Sequence, residues 1–432
     1  MTFALKRSVL ATAVAALVAA PAYATNGMNL EAFGAKAGGM GGASFAYDNG
    51  NSALMNNPAT LSLRKEGNNF GLGLTVLNPN VDARYDAYGM EASSGGDSYL
   101  MPSVSFIKKS GQFTYGAGIL AQGGMGTEWG KSSFLSMDLA TGTATGLEQR
   151  SEVGFARLMF PLAYQVNDDL AVAAQLDYVR ATMDLKMIDP MNMVHVDASD
   201  NNDFNGRMTG DGWAFKLGAH YKVSKEFAIG ATYHSETDIS DLEGSATLTV
   251  MPGSPMSAMM PAGAYPAKMR IVDFQWPETY GVGVAWNVTD KFMLAADVKR
   301  IKWSKSMKNF TTTMNVMDMG WQPEQSMPQN WDDQTVFMIG GQYMIAPNVA
   351  LRAGFNYADN PVPDDTMNPL FPATIKSHYT LGVGWNIGGG HSVAASLAYA
   401  PEVEQTGTGM LNNGLTTTHS QTTWRINYNY NF

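Results

Sequence analysis

The six histidines are the first side chains to consider for acid–base or metal chemistry in this chain. None lies in an HExxH pattern, and no GxSxG sequence is present to hold a nucleophilic serine. His220 and His234 occupy matching positions on two neighbouring predicted strands, but no third ligand is evident beside them. Asp197, Asp200 and Asp203 lack EF-hand spacing. We therefore predict no catalytic residue, no metal and no cofactor.

The composition and the first residues narrow the class of protein. The chain carries 28 basic and 38 acidic residues, a net charge of −10, which argues against a nucleic-acid partner. Lys6 and Arg7 precede a short apolar run and a small-x-small site at 22–24, a pattern that predicts a secretory signal at 1–24. No later segment reaches the roughly 18 consecutive apolar residues of a transmembrane helix.

Apolar and polar residues alternate along many segments, as in a half-buried strand. The alternation is clearest at the C-terminus, where Trp424, Ile426 and Tyr428 share one face and Arg425 and Asn427 the other. Such segments begin near 67, 99, 112, 149, 169, 211, 226, 267, 291, 333, 348, 376, 390 and 421.

The connections between these segments indicate what they build. Six are tight (KSGQ, VNDD, VSKE, NVTDK, IAPN and GGGH), and they alternate with seven long ones. A secreted β-sandwich would also alternate in hydrophobicity, but this order of short and long connections is typical of outer-membrane barrels. We predict an all-β fold: a 14-stranded antiparallel transmembrane β-barrel at 67–432, located in the bacterial outer membrane.

The segment between the signal and the first strand needs a place of its own. Fourteen strands enclose a lumen too wide for side chains alone to fill. Irregular backbone is tolerated at membrane depth only where protein or lumenal water surrounds it. We therefore expect residues 25–66 to form an N-terminal hatch, or plug, inside the barrel.

Several segments carry a resemblance to a known family. The stretch TNGMNLEAFGAKAGGMGGASFAYDNGNSALMNNPATL resembles the hatch of the FadL/TodX-type outer-membrane transporters of long-chain fatty acids and hydrocarbons, with Asn57, Pro58 and Ala59 matching an Asn-Pro-Ala motif. The segments GGMGTEWG, YHSETDI, WPETYGVGV and DNPVPDD are also similar to segments of that family, in the same order. The resemblance covers 25–432.

The resemblance implies passive uptake of hydrophobic compounds. External loops would capture the ligand, the hatch would shift, and the ligand would leave sideways through the barrel wall. Asn57, Pro58 and Ala59 would hold the closed hatch. The implied lateral-opening kink comprises Gly123, Gly124 and Gly126, and Leu30 and Phe33 would line or cap the ligand pocket.

The implied partners are outer-membrane lipid and lipopolysaccharide, and the barrel assembly machinery, which the terminal Phe432 suits. Long-chain fatty acids are the leading expected substrate. However, alternation turns Met183 and Leu185 into the pocket, and Leu185 stands where a basic residue is expected. Either Lys216, Lys299 or Arg352 holds a carboxylate, or the ligand is a neutral aromatic or aliphatic hydrocarbon.

Three loop regions at 183–193, 251–269 and 307–327 hold 14 of the 29 methionines. Methionine is flexible and polarisable, so it suits surfaces that accept varied apolar ligands. We expect these loops to be external and apolar, with Met256, Met259, Met260, Met317 and Met319 exposed to incoming ligand. A structural or adhesive barrel with a permanent stopper is the alternative of a different class.

Overall fold

The computed structural model describes residues 26–138, 142–189, 192–201 and 206–432, and its strands close into an antiparallel barrel. The predicted signal at 1–24 lies outside these residues. Each strand of the ring pairs with its neighbour in the sequence, and the last pairs with the first over 69–85. The ring strands are β1 (Gly67–Tyr85), β2 (Tyr99–Ser110), β3 (Phe113–Trp129), β4 (Gln149–Gln165), β5 (Leu170–Asp189), β6 (Met208–Lys222), β7 (Phe227–His234), β8 (Thr279–Thr289), β9 (Phe292–Ile301), β10 (Gln334–Ala346), β11 (Val349–Tyr357), β12 (Ser377–Gly388), β13 (His391–Thr406) and β14 (Leu415–Asn431).

The alternating pattern has its expected consequence for burial. On β14 the side chains of Trp424 and Ile426 are exposed on the outer face, whereas Arg425 is buried on the inner face. The same separation is present on the other strands, so an apolar belt with aromatic residues near its edges faces outward. The prediction of an all-β closed barrel is confirmed.

The long connections carry strands of their own. Seven of these additional strands join the ring strands in a single 21-stranded sheet, and two others form a separate hairpin. These strands are Met90–Ser93, Met137–Asp138, Thr143–Ala144, Val194–Ala198, Asp238–Ile239, Leu242–Val250, Gly263–Val272, Asn309–Val316 and Gln325–Pro328.

Two predicted strand starts were wrong. The segment from 267 pairs with Leu242–Val250 and Asn309–Val316 outside the ring, so β8 starts only at Thr279. Its alternation is real, because one face of this external sheet is also buried, and periodicity alone cannot tell the two settings apart. The last strand starts at Leu415, six residues before the predicted position, because its polar outer end pairs with β1 and β13.

The segment 26–66, here called the hatch, lies inside the barrel and is almost entirely buried. It is mostly irregular, with one short helix, α1 (Ala35–Gly38), and two 3-10 helices at Gly50–Leu54 and Pro58–Leu63. The other short helices are α2 (Trp303–Ser306) and the 3-10 turns Asp86–Tyr88, Phe134–Ser136 and Pro255–Ala258. Within the described residues, no helix has the length and hydropathy needed to cross a bilayer.

Candidate functional site

Buried polar contacts fasten the hatch to the barrel wall. Glu31 accepts a hydrogen bond from Arg425 of β14 at 2.5 Å, and both side chains are fully buried. Asp297 of β9 accepts hydrogen bonds from the backbone amides of Ser44 and Phe45, at 2.5 and 3.0 Å. Since a buried charge is costly unless it is paired, these contacts hold the hatch in one position.

The Asn-Pro-Ala motif lies at a junction within this arrangement. The Asn57 side chain donates to the carbonyls of Phe45 (2.7 Å) and Ala219 of β6 (2.9 Å), and it accepts from the Ala59 amide (3.1 Å). Pro58 is the first residue of the following 3-10 helix, where its missing N–H costs nothing. One buried asparagine thus joins two parts of the hatch to the wall.

The barrel wall has a gap in its strand pairing between β2 and the outer half of β3, and we call this gap the breach. The pairing of β2 with β3 ends at Ser103 and Leu120, although β3 continues to Trp129 and stays paired with β4. A bulge between Ala121 and Gly123 marks the point where β3 turns away.

The N-terminal turn of the hatch, Asn26–Asn29, fills this breach. Gly124 donates its amide to the carbonyl of Met28 at 3.0 Å, and Asn29 forms a bridge with Gly123. A β-carbon at Gly123 would lie 2.2 Å from the Met28 oxygen, so only glycine permits this close approach. Gly126 lies within the unpaired edge and pairs with Glu152 on the other side.

A chain of seven aromatic rings runs through the outer half of the lumen. Successive ring centroids lie 4.4–6.1 Å apart, which is the range of favourable aromatic contacts. The rings belong, in order, to Phe371, Phe310, Phe274, Phe155, Trp276, Trp303 and Trp331, and we call them the aromatic row. All seven side chains are buried.

The N-terminal turn also contacts this row. A β-carbon on Gly27 would lie 2.6 Å from the Trp303 indole nitrogen, and one on Gly123 would lie 2.8 Å from the Trp276 ring. The same turn therefore touches both the aromatic row and the breach in the wall.

The predicted pocket residues belong to the same apolar cluster as the aromatic row. Met183 and Leu185 are completely buried on β5, where every residue from 181 to 186 is buried, and Leu30 is buried in the hatch. Phe33 is partly buried and packs against this cluster and against a second one lower in the barrel. A cavity of about 50 Å³ lies next to Leu30 and Phe33 at the foot of the breach.

The basic side chains of the lumen mostly have acidic or carbonyl partners. Arg157 is fully buried and donates to Asp177, which also accepts from His234 at 2.9 Å. Lys216 donates to the carbonyls of Leu54 and Met55. These groups satisfy one another, and Arg157 also donates to the hydroxyl of Thr237, whose backbone amide donates to the carbonyl of Trp276 at 3.0 Å, so this polar network adjoins the aromatic row.

The strands of the long connections cover the open end of the barrel. Val196, Leu248 and Phe310 on the inner face of this cover belong to the apolar cluster, while its outer face carries pairs such as Arg270 with Glu243. His195 is buried at its edge, where its Nε2 lies 2.9 Å from the carbonyl oxygen of Glu148, and burial lowers the pKa of His195.

The loop methionines divide into two groups. Met259, Met317 and Met319 are exposed, whereas Met256 and Met260 are partly buried against the apolar cluster. The loop 251–262 therefore presents apolar side chains both to the solvent and to the interior.

The residues considered for chemistry do not converge. His220 contacts the carbonyl of Ala46 at 3.1 Å, whereas His234 contacts Asp177, so the two rings serve different partners. Asp203 lies outside the described residues. Across 26–138, 142–189, 192–201 and 206–432, no group of three or more histidine, aspartate or glutamate residues is arranged to hold a metal ion.

Sequence reasoning missed the aromatic row as a unit. One member lies in a ring strand, four lie in connections, one in a loop strand and one in a short helix. Three tryptophans lie within three residues of a ring-strand end, at 276–279, 301–303 and 331–334. Their shared position near strand ends could have suggested that the three indole rings lie at a similar depth in the barrel, but not that they contact one another.

A closed antiparallel barrel with an internal hatch and long loops at one end defines an outer-membrane channel class. A model of the family "Outer membrane protein transport protein (OMPP1/FadL/TodX)" matches residues 11–432. The chain therefore belongs to this family of outer-membrane transporters of hydrophobic compounds, and it is an outer-membrane protein.

Solved structures support the same assignment. The chain is 28% identical to the Pseudomonas putida toluene transporter TodX, with a TM-score of 0.82 over 94% of this chain and 99% of that one. It is 30% identical to the Ralstonia pickettii toluene transporter TbuX, with a TM-score of 0.77 and coverage of 94% and 99%. A Pseudomonas aeruginosa FadL homologue shares the fold at 16% identity, with a TM-score of 0.72 over 94% and 100%.

Two matches to curated relatives are shorter. A Chlorobium limicola protein of unassigned function is 56% identical over 79 residues, 17% of this chain and 39% of that protein. A putative outer membrane protein of Neisseria meningitidis is 26% identical over 208 residues, 46% of this chain and 44% of that protein. The chain thus spans less than half the length of these two relatives.

Proposed function

We propose that this protein takes up neutral hydrophobic molecules by passive transport, with small aromatic compounds as the preferred class. The aromatic row carries the proposal. Seven buried rings in edge, tilted and stacked contact form a surface on which another ring can pack in the same ways. Two similar structures are named as toluene transporters.

The closed hatch leaves too little room for such a ligand. The cavity beside Leu30 and Phe33 measures about 50 Å³, whereas a cavity known to accept benzene in another protein measures about 150 Å³. Ligand entry therefore requires the N-terminal turn, Asn26–Asn29, to leave its place against Trp303.

The predicted residues fit successive steps of this route. Exposed methionines such as Met259 capture the ligand, and Met256 and Met260 lead it inward to the pocket of Met183 and Leu185. Asn57, Pro58 and Ala59 hold the hatch while the N-terminal turn moves. Exit is lateral: Gly123, Gly124 and Gly126 edge the breach between β2 and β3, which faces lipid once the turn has moved.

Partners other than the ligand remain proposals of the same kind. The outward apolar belt would contact outer-membrane lipid, with lipopolysaccharide around the loop end of the barrel. The terminal Phe432 is exposed and stacks on Tyr430 at 4.9 Å, which leaves it accessible to the barrel assembly machinery.

Long-chain fatty acids are the second candidate substrate. A small polar cavity lies between the hatch and the wall, and its lining includes Lys216, Lys299 and Glu31. A carboxylate could reach Lys299 there while its chain lay along the aromatic row. Glu31 opposes this arrangement, because its own negative charge lines the same cavity.

Uptake measurements in a host that lacks related channels test the proposal. We compare the wild-type protein with Trp303→Leu, which interrupts the row, and with Trp213→Leu, a matched change on the exposed outer face of β6. Radiolabelled toluene and a radiolabelled long-chain fatty acid are followed separately.

Toluene uptake that falls in Trp303→Leu and persists in Trp213→Leu is the expected result. Uptake of the fatty acid alone would favour the second candidate. Correctly assembled protein that takes up neither compound would overturn the proposal and favour a structural or adhesive barrel.

A further inference from the structure

The aromatic row contains polar groups that have no hydrogen-bond partner in the described part of the chain. Within the described residues, the indole N–H groups of Trp276 and Trp331 are buried and have no hydrogen-bond acceptor. Trp303, between them, differs because its N–H donates to Gln334 at 2.9 Å. The hydroxyl of Ser306, on the same short helix as Trp303, is also buried without a partner.

Such groups are unusual in a well-packed interior. A buried donor without an acceptor is destabilising, and most buried indole N–H groups find a partner. Two tryptophans with unsatisfied N–H groups lie on either side of a third, with ring centroids 5.7 and 5.4 Å apart. Phenylalanine would fill a similar apolar position without this cost, as it does at Phe155 and Phe274.

We propose that the ligand supplies the missing acceptor: the pocket selects aromatic compounds that carry one neutral oxygen acceptor, such as an aryl ketone, aldehyde or ester. This inference rests on the proposed function and narrows its substrate class. The ring of the ligand packs on the aromatic row, and its oxygen accepts a hydrogen bond from Trp276 or Trp331. Where a site is built to hydrogen-bond its ligand, an analogue without that group leaves the site's polar atoms unpaired.

A pair of ligands of matched size tests the oxygen specifically. Acetophenone and isopropylbenzene have the same number of heavy atoms, and the ketone oxygen of the first replaces a methyl group of the second. Binding to the purified protein in detergent is measured by equilibrium dialysis. Comparison of each ligand between variants cancels its partition into the micelle.

The variants remove the donors and keep the rings. Trp276→Phe and Trp331→Phe are made singly and together, and Trp213→Phe on the outer face is the matched control. In the double variant we expect the Kd of acetophenone to rise about tenfold, the effect of one hydrogen bond of about 1.4 kcal/mol. The Kd of isopropylbenzene should stay constant or fall.

An infrared measurement gives a second readout independent of affinity. The carbonyl band of isotope-labelled acetophenone should shift to lower frequency on the wild-type protein, and this shift should disappear in the double variant. Equal losses for both ligands, or no change for either, would overturn the inference and leave hydrophobic uptake intact. If the wild-type protein binds neither ligand, the proposed function itself fails.

Discussion

Replacement of Asn57 by alanine should loosen the hatch without preventing barrel assembly. The buried side chain makes three hydrogen bonds, at 2.7, 2.9 and 3.1 Å, that join two parts of the hatch and β6. Each contributes about 1 kcal/mol net, so their loss should cost about 3 kcal/mol. Since about 1.4 kcal/mol corresponds to a factor of ten, local opening should become roughly 150-fold more frequent.

Hydrogen exchange at the Thr60 amide measures this opening directly. This amide donates to the Asn57 carbonyl at 3.0 Å. It becomes exposed to solvent when the first turn of the 3-10 helix Pro58–Leu63 separates from the barrel wall. Asn80→Ala, on the exposed end of β1, is the matched control and should leave exchange unchanged. Retarded migration of the unheated protein on a gel checks that the barrel has assembled.

The uptake rate should also rise in the Asn57→Ala variant, because a hatch held less firmly at its junction with β6 restrains the N-terminal turn, Asn26–Asn29, less. Thr60 exchange within about twofold of the wild-type rate would refute the reasoning, since three bonds of ordinary strength predict a far larger change. Faster exchange with unchanged uptake would show that hatch opening does not limit transport.

Three further outcomes follow from other contacts. Glu31→Ala should lower hatch stability by about 3–5 kcal/mol, because it leaves Arg425 buried and unpaired. Replacing both Glu31 and Arg425 by methionine should cost less. Denaturant titration of the hatch in a double-mutant cycle measures both costs. Gly123→Ala should displace Met28 and increase toluene uptake, whereas Gly130→Ala, with open space around its α-carbon, should not. The pKa of His195 is lowered in the folded protein, so the unfolded chain takes up a proton more readily than the folded one. The external cover should therefore lose stability as the pH falls through about 6.5, and limited proteolysis will detect this loss. The His195→Gln variant should not show this pH dependence.

The barrel was predictable because its signal repeats. Every strand must turn one face to lipid and the other to the lumen, so the period of two appears many times along the chain. Tight turns are equally local. The same rule misplaced the start of β8, because residues 263–272 also bury one face, although against the external cover.

The site was less accessible from the sequence. The placement of Leu30, Met183 and Leu185 followed from alternation and resemblance, and all three lie in the apolar cluster. The aromatic row brings Phe155 and Phe371 together across more than two hundred residues of chain. Contacts between residues so far apart in the chain depend on how the long connections fold over the open end of the barrel. No local sequence pattern specifies these contacts.

The position of the N-terminal turn has a consequence for the permeability of the cell envelope. Gly27 and Met28 touch the aromatic row and the breach at once, so on the proposed route a single displacement would clear the ligand pocket and the lateral exit together. On that route the rest of the hatch would stay in place and keep the periplasmic end of the barrel closed. Water-soluble toxins and ions would then gain no continuous water-filled path, so the membrane would keep its barrier function during each transport event.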